Sequence, residues 1–104
     1  MSFPSTSHAQ RLNMSRILHL PVKAVYFHQI KAGTKPFEYR LVTDHWRKRI
    51  EGKEFDEVHI KLGYPKAGDR SRILIRPWRG YERQTITHPH FGPDPVEVFA
   101  VRVN

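Results

Sequence analysis

From Ile17 onward, apolar residues fall into short groups separated by Gly, Pro and Asp-rich breaks. Ile17-Leu18-His19-Leu20 predicts a short strand closed by Pro21. Across Val22 to Ala32 the apolar positions Val22, Val25, Tyr26 and Ile30 recur at helical spacing, with Lys23, Gln29 and Lys31 on the polar side. Gly33 is a natural stop for that helix. Phe37 to Val42 suits a strand, and Pro36 holds Lys35 in an extended or turn conformation ahead of it. Thr43-Asp44 then offers an N-cap for a short basic helix, His45 to Glu51, that carries Trp46 and Ile50.

Beyond Gly52 the pattern is all β. Glu57 to Leu62 alternates, with Val58, Ile60 and Leu62 on one face and His59 and Lys61 on the other. Gly63 to Asp69 is a turn-rich loop. Arg70 to Trp78 predicts a strand with Ile73 and Ile75 on one face and Arg72, Leu74 and Arg76 on the other. Tyr81 to Thr87 and Val96 to Val103 predict two more strands, around the irregular His88 to Pro95. Five or six short strands and two early helices fit an α+β domain, and a small closed or half-closed barrel is compatible with that pattern without following from it.

The length, 104 residues, is that of one domain. Residues 1–14 read as a polar, disordered lead-in and 15–104 as the folded domain. Eighteen Lys and Arg against ten Asp and Glu leave a formal charge of +8, which makes RNA or DNA the first partner class to test. There are no cysteines, so thiol catalysis and thiolate zinc sites are excluded and a cytoplasmic setting is favoured. No apolar run approaches a membrane span, and the N-terminus lacks the order of a signal peptide. The sequence carries no signal for oligomeric state.

The densest chemistry lies in Gly33-Thr34-Lys35-Pro36-Phe37-Glu38-Tyr39-Arg40, preceded by Leu20-Pro21-Val22-Lys23 and the helix through Ile30. A strand, a Lys, a helix and then Gly-x-Lys-x-x-Glu-x-Arg resembles the signature of the ASCH domain family, and the resemblance covers Ile17 to Asn104. It implies a fold similar to the PUA domain, a β-barrel with helices at its rim and a cleft between them. It also implies a role in RNA metabolism. Some members bind RNA, some cleave single-stranded RNA, and one branch removes the acetyl group from N4-acetylcytidine, using a lysine that matches Lys35. That branch carries Thr where this chain has Glu38.

Glu38 and Arg40 stand two apart on one strand, so their side chains share a face, while Phe37 and Tyr39 turn to the other face and are expected to feed the core. Arg40 can clamp a phosphate through two parallel hydrogen bonds. Glu38 can accept from a base amino group or orient Lys35. A plain ion pair tying the barrel to the helix is the structural alternative. Lys35 can bind phosphate as a point charge or, if desolvated beside a second cation, act as a general base. Lys35 and Glu38 are therefore the catalytic candidates, and Lys23, at the start of the helix, is a candidate phosphate contact.

Arg76-Pro77-Trp78-Arg79-Gly80-Tyr81 interleaves cations with aromatic rings, as a single-strand surface does, which makes Arg76, Trp78, Arg79 and Tyr81 candidate RNA contacts. A Trp closing the barrel end is the alternative. His88 and His90 flank Pro89 and can serve as an acid–base pair or, with Asp94, as metal ligands for a cation such as Mn or Mg. No spacing typical of a metal site supports the latter, so no cofactor is expected. The expected function is an RNA-binding domain that can hydrolyse single-stranded RNA or handle a modified nucleoside. The alternatives are an N4-acetylcytidine amidohydrolase and a non-catalytic adaptor.

Overall fold

The computed structural model describes residues 16–66 and 68–104; the lead-in expected over 1–14 lies outside them. Six strands and two helices follow in the order β1 (Ile17–Val22), α1 (Ala24–Ala32), β2 (Phe37–Leu41), α2 (Asp44–Ile50), β3 (Glu57–Leu62), β4 (Ile73–Pro77), β5 (Tyr81–Ile86) and β6 (Val96–Arg102). The α+β class expected from the sequence is present. The strands form two three-stranded sheets, β1-β3-β4 and β2-β6-β5, rather than one continuous ladder among the described residues.

In the first sheet β1 runs parallel to β3, with Leu20 opposite Ile60 and Val22 opposite Leu62, and β4 runs antiparallel to β3. Val22 was expected in the helix and lies in β1 instead. Pro21 does not end the strand because β1 is at the sheet edge, where a missing N–H costs no ladder bond. Helix α1 therefore starts two residues later than its apolar spacing suggests and buries Phe27 and Ile30, leaving Val25 54% exposed. Arg70 to Arg72, expected in a strand, form a 3₁₀ turn ahead of β4.

In the second sheet β6 is central, flanked by β2 and β5, and buries four consecutive residues, Val98 to Val101. Leu18, Leu20, Val58, Ile60, Phe99 and Val101 bring both sheets into one core, which Phe27, Ile30 and Ile50 complete from the helices. No helix among the described residues is long and apolar enough to cross a membrane.

The ends of the helices are fixed locally. Gly33, at φ 82°, closes α1 in the left-handed conformation, and its N–H and that of Thr34 donate to the carbonyls of Ile30 and Gln29. The C-terminus secures the same corner: Asn104 Nδ2 donates to the Ile30 and Lys35 carbonyls, both at 2.9 Å, and Val103 N–H donates to Pro36 O. The turn carrying Lys35 is thus held from both sides. Thr43 caps α2 by accepting from Trp46 N–H at 3.3 Å.

Candidate functional site

An open cleft of about 1090 Å³ runs between the two sheets, and its lining brings together Lys23, Lys35, Glu38, Arg40, His88 and His90. Four segments of the chain supply them. The turn before β2 gives Lys35, β2 gives Glu38 and Arg40, the N-cap of α1 gives Lys23, and a 3₁₀ turn over Pro89–Phe91 carries the histidines.

At the floor sits a carboxylate between two cations. Glu38 is 5% exposed, the one buried charged residue among those described. Its Oε2 accepts from Arg40 Nη1, and its Oε1 lies 3.7 Å from Lys35 Nζ. Such a carboxylate is tolerable in a dry site only because both cations offset its charge. Arg40 is fixed at its other end: Nη2 donates to the Pro21 carbonyl at 2.6 Å and Nη1 to the Tyr39 carbonyl at 2.9 Å. Its guanidinium also lies 5.0 Å from the Trp46 ring centre.

Glu38 Oε1 is buried and accepts no hydrogen bond. A buried acceptor left in this state forfeits a favourable contact that a bound N–H or O–H could supply. Lys35 Nζ stands 4.4 Å from the ring centre of Tyr39 and 5.3 Å from that of Tyr26. Burial lowers the pKa of Lys35 below its usual value; Arg40 adds to this and the Glu38 carboxylate opposes it.

Phe37 and Tyr39 do not feed the core. They do share the face opposite Glu38, but neither is fully buried, and it is Glu38 that the fold buries. The reason is that Glu38 and Arg40 face the junction between the sheets. The opposite face of β2 meets polar groups instead of the core: Arg102 lies 5.0 Å from the Phe37 ring centre, and Lys35 and the His88 ring lie 4.4 and 6.1 Å from that of Tyr39. Burial and the Glu38 charge raise the Tyr39 pKa.

The histidines form one wall. His88 and His90 lie 5.7 and 5.8 Å from the Tyr26 ring centre, edge-on. His88 Nδ1 accepts from the His90 backbone N–H at 3.1 Å, which leaves the ring proton of neutral His88 on Nε2. Partial desolvation at the cleft rim lowers the pKa of the largely exposed His90, reinforced by Lys23. Asp94 does not join the pair: among the described residues no group of three or more histidines and carboxylates is arranged to hold a metal ion.

The Arg76–Tyr81 constellation lies elsewhere. Arg76 sits beneath the sheet opposite Val58 and donates to the Val103 carbonyl at 3.2 Å and the Ile30 carbonyl at 3.4 Å, so it braces the corner that carries Lys35. Trp78 packs edge-on against Phe55 at 4.9 Å, and the Tyr81 hydroxyl accepts from Gly52 N–H at 2.9 Å. Both rings flank the core, whereas Arg79 is exposed on the turn between β4 and β5. None of the four lines the cleft.

The cleft also recruits Tyr26, Tyr39, Tyr64, Trp46 and Lys61, to which sequence reasoning assigned no ligand, together with Arg49 from the basic helix, whose cations can face solvent or phosphate. Tyr26 and Tyr39 come together only in three dimensions. Tyr64, an aromatic residue inside a turn of small and polar residues, was the one legible signal. No protein-family model, curated protein or solved structure matches this chain.

Proposed function

We propose that this chain is an RNA-binding domain of the ASCH type, in which the cleft between the sheets takes a nucleotide of single-stranded RNA. The observation that carries the reading is the buried Oε1 of Glu38, a charged acceptor without a hydrogen bond at the base of a basic, aromatic-lined cleft. An exocyclic amino group of a nucleobase that displaces the Lys35 ammonium from over this oxygen supplies the missing donor. Around it, Tyr26, Tyr39 and Trp46 offer ring faces for stacking, and Lys23, Arg49 and Lys61 offer charge for the backbone. A PUA-like closure of the two sheets around one core and a cytoplasmic location belong to the same proposal.

Hydrolysis at the same site is a second reading, favoured by the state of Lys35. A lysine whose pKa is lowered by burial, beside a carboxylate and two histidines, can remove a proton from a ribose 2′-hydroxyl or from an attacking water. The same group would serve amide cleavage on N4-acetylcytidine. No metal is needed for either proton transfer.

The test is incubation of the purified protein with labelled single-stranded RNA, with and without Mn²⁺ or Mg²⁺, alongside Lys35→Ala. Binding at low salt that weakens in the variant supports the domain assignment, and cleavage that disappears in it supports hydrolysis. RNA that is neither bound nor cut under any condition overturns both, and leaves the adaptor alternative.

A further inference from the structure

Tyr64 is 91% exposed, far more than any other large apolar or aromatic side chain described, yet it lines the same cleft as the buried carboxylate. A solitary exposed ring needs no explanation by itself. This one is held at a defined place. Gly63, at φ 65°, donates its N–H to the Val22 carbonyl at 3.1 Å, one residue beyond the Pro21 carbonyl that Arg40 grips. On its other side Pro65 restricts Tyr64 to extended backbone. The ring is therefore in the open while its backbone is tied, within two residues, to the floor of the site.

Cations line the same cleft: Lys61, in register with Pro21, and Arg72, paired with Asp69 at 3.4 Å. A ring face in water, in a cleft that also carries positive charge, is what a single-strand site uses to stack a base while the phosphates are neutralised. The cleft, about 1090 Å³ and open to solvent, has room for a strand that continues past the first base.

We infer that Tyr64, with Lys61 and Arg72, forms a second subsite that stacks the base next to the one held over Glu38, so that the ligand is a strand of two or more nucleotides and not a free nucleoside. The inference rests on the proposed RNA reading of the cleft and deepens it.

The experiment compares binding of cytidine monophosphate and of single-stranded RNA of two, four and eight nucleotides to the wild-type chain, Tyr64→Ala, Tyr64→Phe and Lys35→Ala. Because Tyr64 is exposed, its variants fold, which circular dichroism and a thermal melt verify. The expected result is that Tyr64→Ala weakens the oligonucleotides about tenfold, the monophosphate by less than twofold, and that Tyr64→Phe restores wild-type affinity. Equal oligonucleotide affinity in wild type and Tyr64→Ala, with Lys35→Ala still impaired, overturns the subsite and spares the cleft. Wild-type protein that binds none of these RNAs overturns both.

Discussion

Lys35 Nζ lies 3.7 Å from Glu38 Oε1, near enough to neutralise it and longer than an ordinary hydrogen bond. The other carboxylate oxygen is taken by Arg40. The three groups thus stabilise one another as charges while leaving one acceptor open, and their removal should reveal the coupling.

Glu38→Ala strands two mostly buried cations without a counter-charge and is expected to cost about 3–5 kcal/mol, read from urea unfolding. The triple variant Lys35→Met, Glu38→Leu, Arg40→Met removes all three charges and should recover more than half of that loss. A triple variant as unstable as the single one would mean that the charges do not act as a unit.

Lys35 gives stability a defined pH dependence. Its folded pKa is below its unfolded value near 10.5, so between the two the unfolded chain holds a proton that the native chain has released. The cost of burying the ammonium is full below the native pKa and fades as pH rises towards 10.5. The stability of wild type relative to Lys35→Met should accordingly climb with pH across that window. A base-catalysed RNA cleavage would rise with pH and level off above the native pKa.

The His90 ring, its pKa lowered by partial desolvation and by Lys23, should titrate below 6.5 in an NMR pH series. The sign is that the native state holds fewer protons than the unfolded one, so stability from this group is present above pH 6.5 and lost as pH falls through the native pKa. Lys23→Ala should raise the His90 midpoint. His88 should show the Nε2–H tautomer in its ¹⁵N shifts, since Nδ1 is an acceptor.

Trp78→Ala is expected to lower stability by about 3 kcal/mol by opening a gap against Phe55 and Tyr81. RNA affinity measured well below the melting temperature should stay within twofold of wild type. A variant that folds normally and loses RNA would restore the Trp78 surface as a binding face.

Lys23 and Lys61 line the cleft and pair with no carboxylate among the described residues. If each meets one phosphate, its replacement by Ala should flatten the plot of log affinity against log salt by about 0.7. An unchanged slope would place the RNA backbone elsewhere.

Local pattern revealed the elements better than their roles. The αL glycine at 33, the Thr43 cap and the alternation through β3 are short-range features, and each stands where the spacing put it. Val22 was misassigned because helical spacing and a buried edge strand both place an apolar residue there, and only the pairing with Leu62 decides between them. Alternation in β2 correctly separated Glu38 from Phe37 and Tyr39 but could not tell which face is inward. That depends on charge compensation by Lys35 and Arg40, a tertiary fact. Trp78 and Arg76 illustrate the converse: a local mixture of rings and cations that reads like a ligand surface is divided by the strand into a packed Trp and an Arg holding two carbonyls. The aromatic surround of Lys35 joins residues 26, 35 and 39 across a helix, a turn and a strand, and no window of sequence contains its geometry.

The Arg40–Pro21 hydrogen bond crosses from the edge strand of one sheet to an outer strand of the other. The site is therefore a suture as well as a receptor, and its residues cannot drift independently of the architecture. Anything seated on Glu38 adds its binding energy to that seam, and amide exchange should slow at β1 and β2 together. Occupancy would be written into the exchange rates of an edge strand, where spontaneous fraying normally goes unnoticed.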